Sequence, residues 1–404
     1  MSTRYRTKNF QSICVKDPII EDQYAHVPPI YATSTFSYED LEAAFAFFRG
    51  ENNIATYSRL GNPSTAFVAQ KIAELEVCNL DEEVEARGLL FASGMAAISS
   101  ALLSQLKAGD IVLTQSVLYG TSSDFLQTNM SALGVQVLTN DFKDPEEIRK
   151  ILRSHPTIKV FYLETPINPT LECIDLKSMC AIAQEYGVKT IVDNTFATSY
   201  IQQPFKFGVD IVVYSSTKFM NGHGTGISGA AVTRTVEDHK KLYKILKNFG
   251  GICSPFEAYL LNNGLKTLAL RIQKHQQNAQ TLADYLEQHP LVNKVNFLGL
   301  LSHPDFHLAQ EQMHGTTGMM SFEIKGGYAA GLAFQKNIKF CTKTASLGTA
   351  DTLITHSAST SHSNVSEEIR WKYGISPGLI RSSVGIEDID DVIQDFDQAF
   401  SQIE

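Results

Sequence analysis

Asp210-Ile211-Val212-Val213-Tyr214-Ser215-Ser216-Thr217-Lys218 runs a β-branched stretch into hydroxyls and a lysine, and Phe219-Met220-Asn221-Gly222-His223-Gly224-Thr225-Gly226 follows at once. The apolar run has the composition of a buried strand. A lysine just past such a strand, with hydroxyls before it and glycines after it, is placed to hold a carbonyl cofactor as a Schiff base and to keep its phosphate near. Most lysines beside Ser and Thr are solvated loop residues, so the reading of Lys218 depends on its surroundings.

Four similar runs precede it: Ile111-Val112-Leu113-Thr114, Val135-Gln136-Val137-Leu138, Lys159-Val160-Phe161-Tyr162-Leu163 and Thr190-Ile191-Val192-Asp193. Each is separated from the next by roughly the length of a helix, which predicts an α/β chain with a mostly parallel sheet and helices on both faces. Residues 1–60 read as an irregular, proline-containing arm. Helical periodicity begins near Ser64 and continues through Ala66, Val68, Ile72 and Leu75. Past Ser254-Pro255 the pattern changes to a long helical stretch from Phe256 to about Leu286 and then to an α+β tail. The expected division is therefore an arm (1–60), a large domain (61–255) and a smaller C-terminal α+β domain (256–404).

Composition bounds the function. The 404 residues exceed the usual single-domain range, and 43% hydrophobic with 19% charged residues is ordinary for a globular protein. The balance of 34 basic against 43 acidic residues, net −9, with no concentrated basic run, argues against nucleic-acid binding. The first residues have no apolar signal core, and no run is long enough to span a bilayer. The expectation is a cytoplasmic protein without a membrane segment. Six scattered cysteines lack C-x-x-C or zinc spacing, so no metal site is expected. A nucleotide-binding dehydrogenase would suit the α/β alternation, but no G-x-G-x-x-G follows the first strand.

Open α/β sheets place ligands at the carboxyl ends of their strands, where Asp193 and Lys218 would share an edge. A carboxylate there can pair with a protonated pyridine nitrogen; the bland alternative is an aspartate that caps the next turn. Ser93-Gly94-Met95 joins a strand-like run ending at Phe91 to a small-residue helix, whose N-terminus would offer the Gly94 and Met95 amides to an anion. Tyr119, after strand 111–114, could stack on a planar ring or simply pack.

Eight ordered motifs carry a resemblance. They are Tyr57-Ser58-Arg59 with Asn62-Pro63; Ser93-Gly94-Met95; Tyr119-Gly120; Glu164-Thr165-Pro166-Ile167-Asn168-Pro169; Val192-Asp193-Asn194-Thr195; Ser215-x-Thr217-Lys218; Ser346-Leu347-Gly348; and Arg381-x-Ser383-Val384-Gly385-Ile386-Glu387. From about residue 28 to the C-terminus the chain resembles the cysteine/methionine-metabolism family of pyridoxal-phosphate enzymes, which includes methionine γ-lyase, cystathionine γ-synthase, cystathionine lyases and O-acetylhomoserine sulfhydrylase.

The resemblance implies a fold type I, aspartate-aminotransferase-like transferase fold with a seven-stranded, mostly parallel sheet in the large domain. It implies pyridoxal 5′-phosphate bound to Lys218, which would also shuttle protons, with Asp193 on the pyridinium and Tyr119 stacked on the ring. Ser215, Thr217, Gly94 and Met95 would hold the phosphate, joined by Tyr57 and Arg59 from a neighbouring subunit, so that the arm completes the neighbour's site in a dimer of dimers. Arg381 would take the α-carboxylate of a small amino-acid substrate, helped by Asn168 and Ser346. Glu164 would lie behind these residues. Tyr119 or Tyr57 would protonate the leaving group.

The reaction expected first is γ-elimination on a sulfur amino acid, giving a thiol, 2-oxobutyrate and ammonia. The alternative is γ-replacement on O-acetyl- or O-succinyl-homoserine. Segment 318–327 is similar to methionine γ-lyases, whereas Thr121 and Thr225 stand where those lyases favour a cysteine and an acid. Ala345 stands where cystathionine-processing members commonly have a glutamate, and Gly222-His223-Gly224-Thr225 with 358–362 leans towards sulfhydrylases. A non-catalytic binding protein of the same fold would usually have lost Lys218, Asp193 or Arg381, and all three are present.

Overall fold

A computed structural model describes residues 9–17, 25–51, 55–80, 83–360 and 367–403. The first eight residues, and Ser361 and His362 of the 358–362 segment, lie outside the described residues.

Seven strands form the first sheet: β1 (Arg87–Phe91), β2 (Ile111–Thr114), β3 (Gln136–Thr139), β4 (Ile158–Glu164), β5 (Lys189–Asp193), β6 (Ile211–Tyr214) and β7 (Gly229–Thr233), in the order β1-β7-β6-β5-β4-β2-β3. Only β7 runs against its neighbours. β2, β5 and β6 are fully or almost fully buried because helices cover both faces, which explains their continuous apolar composition. Three helices are opened by a polar cap followed by proline at the first helical position. Asn62, Asp144 and Ser254 accept the amides of Ser64, Glu146 and Phe256, which starts helices Pro63–Val77, Pro145–Ser154 and Pro255–Lys266.

Five further strands make a second sheet: β8 (Val292–Asn296), β9 (Met319–Ile324), β10 (Thr342–Lys343), β11 (Leu353–His356) and β12 (Leu379–Ser383), in the order β10-β11-β12-β9-β8. Its core is a ring-rich group containing Phe322, Phe334, Phe396 and Phe400.

The long helical stretch expected from Phe256 is two helices, Pro255–Lys266 and Leu268–Gln288, separated at Thr267. Leu261, Leu265, Leu268 and Ile272 belong to the core of the first sheet, and Ala279, Leu282 and Leu286 to that of the second. The two cores therefore hand over within helix Leu268–Gln288. The N-terminal arm, expected to be irregular, carries helices Phe10–Val15 and Leu41–Arg49. The second has a complete local code: Asp40 accepts the Ala43 amide, and left-handed Gly50 closes the end.

Candidate active site

The carboxyl ends of β4, β5 and β6 lie side by side, and the candidate residues collect there. Register places Glu164 opposite Asp193 and Asp193 opposite Val213, two residues before Ser215. Thr195 fastens this edge. Its hydroxyl donates to Asp193 Oδ1 at 2.5 Å and accepts the Ser215 amide at 2.8 Å, while its own amide donates to the same Asp193 oxygen at 3.0 Å. Two donors favour charge on Asp193, but burial dominates and pushes its carboxyl up to about 6.

Lys218 leaves β6 through a tight turn in which its amide donates to Ser215 O at 3.1 Å. The next residue, Phe219, is fully buried edge-on against His275, with ring centroids 5.3 Å apart. Removing such a ring costs about 3–5 kcal/mol, so the lysine is anchored by the core directly behind it. Buried Arg271 adds three main-chain bonds, to Phe219 O, Met220 O and Gly264 O. Lys218 Nζ donates to Ser346 Oγ at 3.3 Å. Burial and then the charge of Arg381 lower its affinity for a proton.

Arg381, on β12, is 3% exposed and has no carboxylate partner among the described residues. Its guanidinium donates to Asn168 Oδ1 (3.3 Å), Ala345 O (3.0 Å) and Ser346 O (3.0 Å). Burial lowers its pKa to about 10, with Tyr119 acting the other way. A buried guanidinium satisfied only by neutral oxygens fits an anionic ligand. The 345–350 loop approaches closely because Gly348 has φ +77° and no side chain; a Cβ there would meet Phe219 N at 2.6 Å. Ser346 thereby touches both cations, Lys218 through its hydroxyl and Arg381 through its carbonyl.

Gly94 and Met95, expected to cradle an anion, open a helix. Ser93 caps helix Gly94–Gln105, with its Oγ taking the Ala96 amide and its carbonyl the Ala97 amide. The Gly94 and Met95 amides come one step earlier, where a helix has no acceptor of its own. A Cβ on Gly94 would lie 2.7 Å from Ser215 Cβ, so the helix start and the β6 turn are pressed together. Thr217 lies on the same turn, but its hydroxyl is engaged with the Ser228 backbone, donating to the carbonyl and accepting from the amide at 3.0 Å each.

Tyr119 caps helix Gly120–Asp124 and is 48% exposed; its amide donates to Glu164 Oε2 at 2.9 Å. Tyr57 and Arg59 are not brought to Lys218 by any described contact within the chain. Tyr57 is 41% exposed, with the Arg59 guanidinium over its ring at 5.5 Å, and Arg59 donates to Lys247 O at 2.6 Å. Sequence reading assigned no role to Thr195 or Arg271. Thr195 had a signal in its place two residues after Asp193, the spacing of a local side-chain turn. Arg271 had none, because its main-chain partners lie 7 to 52 residues away.

Taken together, a half-buried lysine with weakened basicity, a carboxylate at the neighbouring strand end, a helix-start anion cradle and an unpaired buried arginine fit pyridoxal phosphate and an amino acid. The model for Cys/Met metabolism PLP-dependent enzymes matches residues 11–401. L-methionine gamma-lyase of Fusobacterium nucleatum subsp. nucleatum is 43% identical over 93% of both chains. Cystathionine gamma-lyase of Bacillus subtilis is 38% identical over 93% of this chain and 94% of its own. The crystal structure of cystathionine gamma synthase from Xanthomonas oryzae pv. oryzae in complex with aminoacrylate and cysteine superposes with a TM-score of 0.90 at 35% identity, covering 98% of each chain. The chain belongs to the Cys/Met-metabolism family of pyridoxal-phosphate-dependent enzymes.

Proposed function

We propose that this enzyme catalyses γ-elimination on methionine or a closely related thioether amino acid, in which water is consumed and a thiol, 2-oxobutyrate and ammonia are released. One observation carries the reading: Ser346 contacts both Lys218 Nζ and the Arg381 guanidinium. A single residue thus bridges an amine-handling group and a carboxylate-binding group, the two functions an α-amino acid presents. The relatedness to L-methionine gamma-lyase supports the thioether as the substrate.

When bound, pyridoxal phosphate supplies an electron sink for the pair left at the substrate Cα after proton loss. Lys218 would hold the cofactor, Asp193 its ring nitrogen, Tyr119 its ring face, and Ser215, Thr217, Gly94 and Met95 its phosphate. Arg381, with Asn168 and Ser346, orients the substrate carboxylate so that Cα–H faces Lys218. Burial and the nearby guanidinium keep Lys218 a ready base, and it moves protons at Cα and Cβ. Tyr119, or Tyr57 of a second subunit, donates a proton to the departing sulfur. Well-placed proton transfer contributes roughly 10²–10⁴-fold in rate.

A homo-oligomer, a dimer of dimers, belongs to the same proposal. It is supported by the open placement of Tyr57 and Arg59 and by the exposed Leu41, Phe45 and Phe48 on the arm's helix. Among the described residues no helix is long and apolar enough to cross a membrane, and all six cysteines are buried and unpaired. Unpaired thiols support action in the cytoplasm.

A second reading, γ-replacement on an acyl homoserine, is favoured by the match to the cystathionine gamma synthase structure. A product assay separates the two. Incubation with methionine, homocysteine, cystathionine and acyl homoserines, with and without sulfide or cysteine, should yield 2-oxobutyrate from methionine alone. Thiol-dependent consumption of an acyl homoserine, without 2-oxobutyrate from methionine, would replace the first reading by the second.

A further inference from the structure

Two buried carboxylic residues end neighbouring strands at this site, and the roles proposed above use only one. Glu164 and Asp193 are the last residues of β4 and β5, directly opposed in a parallel register, 7% and 8% exposed. Neighbouring strands lie about 4.8 Å apart, so two carboxylates in register would repel each other with little water between them. Neither carboxyl has a cationic partner among the described residues. At such a spacing one carboxyl keeps its proton, as in other buried carboxyl pairs.

Both carboxyls receive two donors, so the surroundings decide which one. Asp193 receives the Thr195 amide and hydroxyl, and Glu164 the Tyr119 and Asn168 amides. The Glu164 backbone is clamped by Gln115, whose carboxamide accepts from Glu164 N at 2.8 Å and donates to Glu164 O at 2.9 Å. A further titratable neighbour, Tyr162, sits two residues back on the same face of β4 and is buried. It brings no positive charge. Burial and then Asp193 push the Glu164 carboxyl up to about 8, above Asp193. A pyridinium against Asp193 would widen that gap.

We propose that Glu164 is a positioning residue that acts as a neutral carboxylic acid: it keeps the proton of the pair, so that Asp193 alone carries the charge, and it fixes the Tyr119 backbone. The inference rests on pyridoxal phosphate lying against Asp193 and Tyr119. Glu164 touches neither cofactor nor substrate in this account and acts through those two residues. Electrically, a neutral glutamic acid and a glutamine are equivalent, and both accept the Tyr119 amide.

The test uses the holoenzyme with E164Q and E164A, and with E164L where E164A does not fold. Three quantities are read: the pH midpoint of the bound cofactor's absorbance without substrate, the cofactor dissociation constant, and kcat separately from KM. E164Q is expected to leave the absorbance midpoint in place and kcat within about twofold, whereas E164A or E164L lowers kcat and cofactor affinity by about tenfold, with the smaller change in KM. An E164Q midpoint displaced by about one pH unit or more would show that wild-type Glu164 carries a charge, and would overturn the proposal. Wild-type behaviour of E164A and E164L in all three quantities would overturn it equally. A wild-type protein without a cofactor band would instead remove the reading beneath it, and this inference with it.

Discussion

The site has two unlike halves. Lys218, Asp193, Glu164 and Arg381 are each held by a named hydrogen-bond partner, and the backbone is locked by Phe219, Arg271 and the close approach of Gly348. Around Tyr57, Arg59 and Tyr119 the side chains are open and few long-range contacts hold them. Packing of one chain completes the first half; the second is left for a ligand or a second copy to complete. Groups that must keep a fixed charge and distance are bought with burial, and groups that must admit a substrate are not.

Substitutions should separate the halves, and the largest loss is expected in the buried one. Lys218→Ala should lower 2-oxobutyrate formation by about 10³-fold or more, because the base and the cofactor's attachment go together; a steady-state assay with saturating cofactor checks it. Arg381→Lys keeps the charge but loses the fork. Losing one charged hydrogen bond costs about 1.5–3 kcal/mol, so kcat/KM should fall roughly 10- to 150-fold, chiefly through KM. Little or no change would place the carboxylate elsewhere.

In the open half the expected signature differs. Arg59→Ala should leave thermal stability within about 0.5 kcal/mol, yet weaken cofactor retention in the assembled oligomer by about tenfold. A large stability loss with unchanged cofactor affinity would make Arg59 a fold residue through its bond to Lys247.

The smallest effect concerns a buried carboxyl outside the site. Glu76 is fully buried, neither oxygen has a partner, and burial raises its pKa well above the ordinary value. The folded chain therefore holds a proton that the unfolded chain releases above about pH 4.3, and stability is lost as pH rises from there towards the folded value. Glu76→Gln should flatten that decline as pH rises above the ordinary carboxylate range in thermal melts, without altering turnover. Parallel curves for the two proteins would contradict a protonated Glu76.

Much of the buried half was legible in the sequence because its chemistry is written in contiguous runs. β2, β5 and β6 are β-branched stretches, and the residues at their ends face one edge by topology alone. β7 was not legible: Gly-Ala-Ala-Val-Thr lacks the bulk of a buried strand, and it fits because a Cβ on Gly229 would strike Ser93 O at 2.1 Å. Glu164 was visible as a residue behind the site, but its pairing with Asp193 depends on the β4–β5 register. The break at Thr267 lies inside an unbroken helical pattern. Tyr57 and Arg59 were recognisable as a motif, but no described contact within the chain brings them to Lys218, and their part in the site belongs to the proposed oligomer.

Borohydride reduction of the purified enzyme, followed by peptide mapping, decides whether Lys218 carries the cofactor. A single pyridoxyl group on Lys218 is expected, and none after Lys218→Ala. A label on a different lysine, or no label on a yellow wild-type protein, would contradict it.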